Sequence, residues 1–269
     1  MQHIAIKVHG HVATLMIDRP DRSNALDSQL LADLRQGLSD LHQEKKVRAM
    51  ILTSSGDHFC AGVDLELFQN IACLPQHEQP PRWFDYWRQL AELCEELLRF
   101  PKPIVAAVDG AAIGAGFAIG LACDLIVASR RATFAVPAVH RGLVGGITAA
   151  LLAFRSSTSL ASQLALTGLV RDANEIYQTG ILCEPPVAPD QIWVTANQWA
   201  GRCAVGAPPA IAATKRMINE TIGEALLSQL ASASADAASL CHHDTAIEGV
   251  AAFMEKRDPD WDRFPTAEA

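Results

Sequence analysis

The feature that most restricts the fold of this chain is a change of rhythm. Up to about residue 187, short β-like runs alternate with helical ones; beyond that point only the helical period remains. Ile4, Ile6 and Val8 alternate with more polar neighbours, Gly10 supplies a turn, and residues 12–17 form a second apolar run. Together they predict an N-terminal hairpin. The segment from Ser23 to Asp27 is expected to open a helix, because Leu26, Leu30, Leu31, Leu34, Leu38 and Leu41 recur at helical spacing. Further strands are expected at 47–53, 104–108, 125–128 and 133–136, and helices at 113–123 and 148–167. Pro80 and Pro81 predict a loop from Pro75 to Pro81, followed by a helix that carries Trp83, Phe84, Tyr86 and Trp87 and runs to Arg99. Asp172, with Glu175 three residues on, predicts a capped short helix, and from Pro208 the pattern is helical. This order predicts an α/β core over residues 1–200 and an α-helical C-terminal region over 201–269.

Composition agrees with a chain that buries a large core. Of 269 residues, 49% are hydrophobic and 19% charged, which argues against disorder. The formal net charge is -8 and no basic block occurs, so a nucleic-acid partner is excluded. The longest uncharged apolar stretch, Gly110 to Cys123, is shorter than the ~20 residues of a bilayer span, so no membrane partner is expected. The opening residues lack the basic head and long apolar run of a secretory signal. The seven cysteines are scattered and form no Cys-x-x-Cys pair, the pattern of buried thiols in a reducing compartment, and a cytoplasmic location is expected.

Taken singly, the candidate motifs are ambiguous. A dinucleotide loop beginning at Gly114 and Gly116 would need glycine at position 119, where Ile119 stands. The small residues there either allow close helix packing or bring a backbone N–H to a ligand oxygen at a helix N-terminus. His58 and Cys60 are two residues apart, and a buried inert thiol is the favoured reading. His242 and His243 on a helix would point about 100° apart, so no metal site is expected. His140 and Arg141 precede a glycine-rich turn, Gly142 to Gly146, that either places N–H groups in a pocket or is plain turn chemistry.

The order of the segments is more telling than any one of them. Arg19-Pro20-Asp21-Arg22-Ser23-Asn24-Ala25-Leu26 is followed by Phe59-Cys60-Ala61-Gly62-Val63-Asp64-Leu65 and by residues 101–110, PKPIVAAVDG. Then come Gly114-Ala115-Gly116, Ala122-Cys123-Asp124, Phe134-Ala135-Val136-Pro137, Leu166-Thr167-Gly168, Thr214-Lys215 and the run from Glu248 to Arg257. Along essentially its whole length the chain resembles the enoyl-CoA hydratase/isomerase (crotonase) superfamily. The resemblance implies a spiral of ββα units with a C-terminal α-helical trimerisation region that swaps onto a neighbour. It implies a homotrimer or a dimer of trimers. It implies a CoA thioester as ligand, with coenzyme A entering as part of the substrate and no prosthetic group. It implies two backbone N–H groups gripping the thioester oxygen, at positions that match Val63 and Ala115 here. Ala115 replaces a usual glycine. Ala61 matches a backbone contact to adenine, and Asp64 and Leu65 continue that segment. Arg22 lies in the loop that offers a cation to the phosphates, and Phe253 and Lys256 match residues that a neighbouring subunit brings to the nucleotide end. Glu66 stands where many members carry a cation.

One departure bears on the chemistry. The two glutamates of the family's hydratases correspond to Ala118 and Ala138, and a carboxylate used in other branches corresponds to Gly146. No side chain at these positions transfers a proton, and such groups contribute ~10²–10⁴-fold each. His140 is the candidate replacement, since in an extended segment positions 138 and 140 share a face and histidine titrates near neutrality, although a surface or supporting histidine is the favoured reading. Asp85, Tyr86, Trp83 and Glu66 are further candidates near the acyl pocket. Three readings follow. The chain is an atypical isomerase, decarboxylase or thioesterase; a non-catalytic acyl-CoA binder; or a weak hydratase using other residues. The two alanines also predict extra volume for a bulky, apolar acyl group.

Overall fold

The computed structural model describes residues 1–222 and 224–264. In chain order the elements are β1 (Ile4–His9), β2 (Val12–Ile17), α1 (Ser28–Gln43), β3 (Ala49–Ser54), α2 (Leu65–Ala72), α3 (Gln79–Arg99), β4 (Ile104–Val108), β5 (Ala111–Ile113), α4 (Ala115–Ala122), β6 (Leu125–Ala128) and β7 (Thr133–Ala135). They continue with α5 (Gly146–Arg155), α6 (Thr158–Thr167), β8 (Arg171–Asp172), α7 (Ala173–Tyr177), α8 (Ile192–Ala204), α9 (Pro208–Arg216), α10 (Glu224–Leu240) and α11 (Asp244–Met254).

The larger sheet has the order β1-β2-β3-β4-β6, with β1 and β2 antiparallel and the other neighbours parallel. Every residue of β4 is buried, as a parallel strand covered on both faces requires. Period-2 alternation divides the side chains between those faces. Ala49, Ile51, Val105, Ala107 and Val127 meet Ala196 and Ala200 of α8, while Met50, Leu52, Ile104 and Ala106 join the main core with α1 and α3. A smaller sheet, β5-β7-β8, stands beside it. It places the β5–α4 turn next to the end of β7, and those two junctions frame the cavity described below.

The N-terminal hairpin and the β4 and β6 strands lie where the pattern predicts. Asp172 and Glu175 form a reciprocal capping box on α7. Several boundaries differ, each for a local reason. Ser23 and Asn24 do not open α1. Both have left-handed φ, and Asp27 caps the helix instead by accepting the Leu30 N–H at 2.7 Å. Pro80 and Pro81 do not hold residues 75–81 in a loop; they occupy the first turn of α3, where a missing N–H costs nothing. The helix expected at 113–123 loses its first residues to β5, and that expected at 148–167 breaks at Ser156 into α5 and α6. His242 and His243 lie in the turn before α11, not on a helix face.

Within the chain, the C-terminal helices lie on their own core. Leu226, Leu230, Ala233, Ala237 and Ala238 of α10 join the main core, against α3 and α5. Trp87 Nε1 donates to Cys241 Sγ at 3.1 Å, tying α3 to the end of α10. The α11 helix packs on the 3₁₀ turn Pro137–Arg141, with Gly249 against the backbone of Arg141, where a Cβ would stand 2.3 Å from its carbonyl carbon. The division at residue 200 falls inside α8. No helix of the described residues is long and apolar enough to cross a membrane.

Candidate active site

Two glycine turns meet at the head of the cavity. The first follows Phe59. Cys60 bridges to β5, with its N–H on Ala111 O at 2.9 Å and its carbonyl accepting the Ile113 N–H at 3.0 Å. The chain then bends at Gly62, where φ is 92° and any Cβ would stand 2.6 Å from Ile113 O, so only glycine fits. The second turn is Gly114, with φ 53° and ψ -118°, immediately before α4. Gly116, one residue into that helix, lets α4 lie directly on the Cys60 carbonyl: a Cβ there would be 2.2 Å away.

Peptide planarity aims the N–H that each turn carries. The Gly62 carbonyl accepts the Leu26 N–H at 2.7 Å, and Leu26 is itself held by Tyr86, whose hydroxyl donates to Leu26 O at 2.8 Å. In a trans peptide the N–H points opposite to the C=O, so the Val63 N–H faces away from Leu26. The Gly114 carbonyl accepts both the Ala118 N–H and the Thr148 hydroxyl at 3.0 Å. The Ala115 N–H therefore leaves in the other direction, ahead of α4. As the first helical residue it has no partner in the helix ladder. Neither N–H has a backbone acceptor among the described residues. A Cβ on Gly62 would stand only 3.5 Å from Ala115 N, so the two donors are neighbours.

Both open on a cavity of about 300 Å³, at the small end of ligand pockets. Its wall is apolar, built mainly by Trp87, Leu90, Leu143, Val144 and Ile147, with the Thr148 hydroxyl beside the Gly114 turn. Four charged residues line it: Arg22, Asp64, Glu66 and Arg141. Asp64 caps α2 by accepting the Glu66 N–H at 3.0 Å and pairs with Arg19 at 2.7 Å. Arg22 and Glu66 pair with each other. Arg141 lies over the Phe253 ring at 4.2 Å from its centroid and donates to Pro137 O at 3.2 Å. Its Nε is buried without a partner among the described residues, and burial pushes the guanidinium below its usual range.

Of the residues expected at a site, Val63, Ala115, Arg22, Ala61, Asp64, Leu65 and Phe253 line this one cavity. Phe253 reaches it from the chain's own α11. His140 and Lys256 are not among the lining residues. The reason for His140 is local. Residues 137–141 form a 3₁₀ turn, not an extended run, and at about three residues per turn positions 138 and 140 face different ways. Its ring is exposed and lies against Gly168, where a Cβ would stand 2.7 Å from it. Lys256 follows α11 in a left-handed conformation and is exposed. Ala138 lines the cavity, whereas Ala118 is fully buried in α4 and adds no volume to it. Trp83 and Tyr86 are core residues, and Trp87 and Leu90 form the wall instead. Asp85 is exposed and pairs with Arg88 at 2.6 Å. Cys60 is fully buried, which pushes its thiol up to about 12, so it is no nucleophile at neutral pH. No group of three metal-ligating side chains occurs among the described residues.

Sequence reasoning missed Thr148 and the charge of Arg141. Thr148 leaves a trace, as a hydroxyl in the otherwise apolar run from Ile147 to Phe154. Arg141 leaves none, because its isolation depends on what α11 brings beside it.

Residues 7–263 match the sequence profile of the family described as Enoyl-CoA hydratase/isomerase. A carnitinyl-CoA dehydratase from Proteus mirabilis is 29% identical, over 97% of this chain and 98% of its own. A 1,2-epoxyphenylacetyl-CoA isomerase from Escherichia coli is 30% identical, over 97% and 98%. The crystal structure of an enoyl-CoA hydratase from Mycobacterium avium superposes with a TM-score of 0.82 at 28% identity, covering 97% of this chain and 99% of that one.

Proposed function

Because the chain belongs to the enoyl-CoA hydratase/isomerase family, which acts on CoA thioesters, we propose that it seats an acyl-CoA in this cavity, with the thioester oxygen on the N–H groups of Val63 and Ala115. Arg22, Ala61 and Phe253 then meet the coenzyme, and the apolar wall meets the acyl group. Two fixed N–H donors in a desolvated pocket stabilise negative charge as it develops on that oxygen, and one such donor is worth ~10²–10³ in rate. The donors need no reorganisation, since Leu26 and Thr148 already hold both peptides by their carbonyls.

The observation that carries the reading is the pairing of these donors with a wall in which, among the described residues, no histidine and no unpaired carboxylate stands. By the family resemblance, Ala118 and Ala138 match the positions of the hydratases' two glutamates, and the two acidic residues among the described cavity lining are engaged by Arg19 and Arg22. This arrangement favours reactions that build an oxyanion without a side-chain base. Decarboxylation fits best. The C–C bond to the leaving carboxylate breaks, its electron pair moves into the enolate, and solvent water returns a proton to carbon. Isomerisation or thioester hydrolysis through water is the next most economical route. Hydration by the two-glutamate route is disabled.

The test is a panel of 2-enoyl, 3-enoyl, saturated and 2-carboxyacyl-CoA thioesters incubated with the protein in deuterated water, with products read by mass spectrometry. Loss of carbon dioxide with one deuterium gained supports decarboxylation. Deuterium uptake or double-bond migration without added water supports isomerisation, and free CoA supports hydrolysis. Rapid addition of water would refute the disabled-hydratase reading. Binding with no reaction anywhere in the panel would leave an acyl-CoA binder.

A further inference from the structure

The cavity's charges do not balance. Asp64 pairs with Arg19 and Glu66 with Arg22, so each lining carboxylate is already engaged. Among the described residues, Arg141 is the one lining cation without a carboxylate partner. Among the described residues its guanidinium makes one hydrogen bond, to Pro137 O, and lies over the face of Phe253. Burial alone acts on its pKa, with no opposing charge close enough to register. A desolvated guanidinium in this state retains unused N–H donors and an unmet demand for negative charge. It is also well fixed. The backbone of Arg141 is held close against Gly249 of α11 and that of Gly142 against Thr245, and the guanidinium carbon lies 4.2 Å from the centre of the Phe253 ring. Holding a cation rigidly beside an apolar pocket, without its counter-ion, suits recognition of a planar or tetrahedral oxyanion by paired hydrogen bonds.

We propose that Arg141 is the anion-recognising residue of this cavity and takes a carboxylate or phosphate oxygen of the bound thioester. The inference rests on the reading that a CoA thioester occupies the cavity. The anion has two possible sources, the far end of the acyl group or the coenzyme's own phosphates, and binding measurements separate them. The probes are valeryl-CoA, glutaryl-CoA, which differs in ending in a carboxylate, and 3′-dephospho-valeryl-CoA. Affinities are measured by calorimetry for the wild type, Arg141→Met, Arg141→Gln and Arg141→Lys, with melting curves to confirm folding.

An acyl carboxylate predicts that the wild type binds glutaryl-CoA about tenfold or more tightly than valeryl-CoA. Arg141→Met and Arg141→Gln then erase that contrast and leave valeryl-CoA unchanged, and Arg141→Lys keeps part of it. A coenzyme phosphate predicts that both neutral variants weaken valeryl-CoA and glutaryl-CoA alike, and that removing the 3′-phosphate costs affinity in the wild type only. Either pattern supports the assignment. Folded neutral variants that bind all three probes as the wild type does would overturn it, while leaving the thioester reading intact. A wild type that binds none of the probes would instead overturn the thioester reading itself, and this inference with it.

Discussion

The contact between Gly116 and the Cys60 carbonyl lets one substitution test how the two donor turns are built. An alanine Cβ at position 116 would stand 2.2 Å from Cys60 O and 2.8 Å from its carbonyl carbon. These are backbone atoms, and the same carbonyl is fixed by the Ile113 N–H at 3.0 Å. The neighbour cannot swing aside as a flexible side chain would. The α4 helix and the Cys60–Gly62 segment must separate by most of an ångström, carrying the Val63 and Ala115 donors with them. Alanine gains up to ~1 kcal/mol over glycine in helix propensity, whereas overpacking costs ~1–3 kcal/mol and here meets rigid backbone. Gly116→Ala is therefore expected to lose a net ~1–2 kcal/mol, which at about 2–4 °C per kcal/mol is a fall of roughly 2–8 °C in Tm. Gly201→Ala is the internal control. It lies in α8 with nothing within 4 Å of the added Cβ, so propensity acts alone and Tm should rise by a few degrees. Thermal melts followed by circular dichroism of the two variants decide the matter. A Gly116→Ala protein that melts at or above the wild type would refute the close approach, and with it the argument that this glycine sets the spacing of the donors.

Other predictions follow from the hydrogen bonds. Thr148→Val removes the hydroxyl from Gly114 O but leaves the Ala118 N–H on it, so stability should fall by only ~1 kcal/mol. The loosened Ala115 N–H should polarise the carbonyl of a bound conjugated enoyl-CoA less, seen as a smaller red shift of its absorbance at unchanged occupancy, with Thr148→Ser restoring it; equal shifts in all three proteins would count against the role. Glu248 is held down to about 2 by Arg257 and then by the Asp260 N–H, well below its ordinary 4.5. A lowered carboxylate stabilises the fold above its unfolded pKa and loses that contribution as pH falls through the folded one. The Tm difference between wild type and Glu248→Gln should thus be positive at pH 6 and close between pH 4.5 and 2; a gap independent of pH would contradict it.

Local signals in the sequence set the larger outline. The alternation of strand and helix, the fully apolar β4, the Asp172–Glu175 cap and the ordered motifs were legible because each depends on neighbours a few residues away. The same holds for the alanines at 118 and 138, whose inability to move a proton is a property of the side chain alone. What the sequence could not settle was direction. His140 reaches the cavity only if residues 137–141 are extended, and the 3₁₀ turn they form places its ring against Gly168 instead. Trp83 and Trp87 look alike in one helix, yet only Trp87 faces the cavity, because the elements packed on α3, chiefly α10, α1 and α4, fix its rotation. Thr148 gains meaning only when α5 is laid against the Gly114 turn, and Arg141 only when α11 folds back beside it. Periodicity and chemistry are written residue by residue along the chain. Which faces meet, and which charges are left without a partner, is decided by packing between segments far apart in sequence.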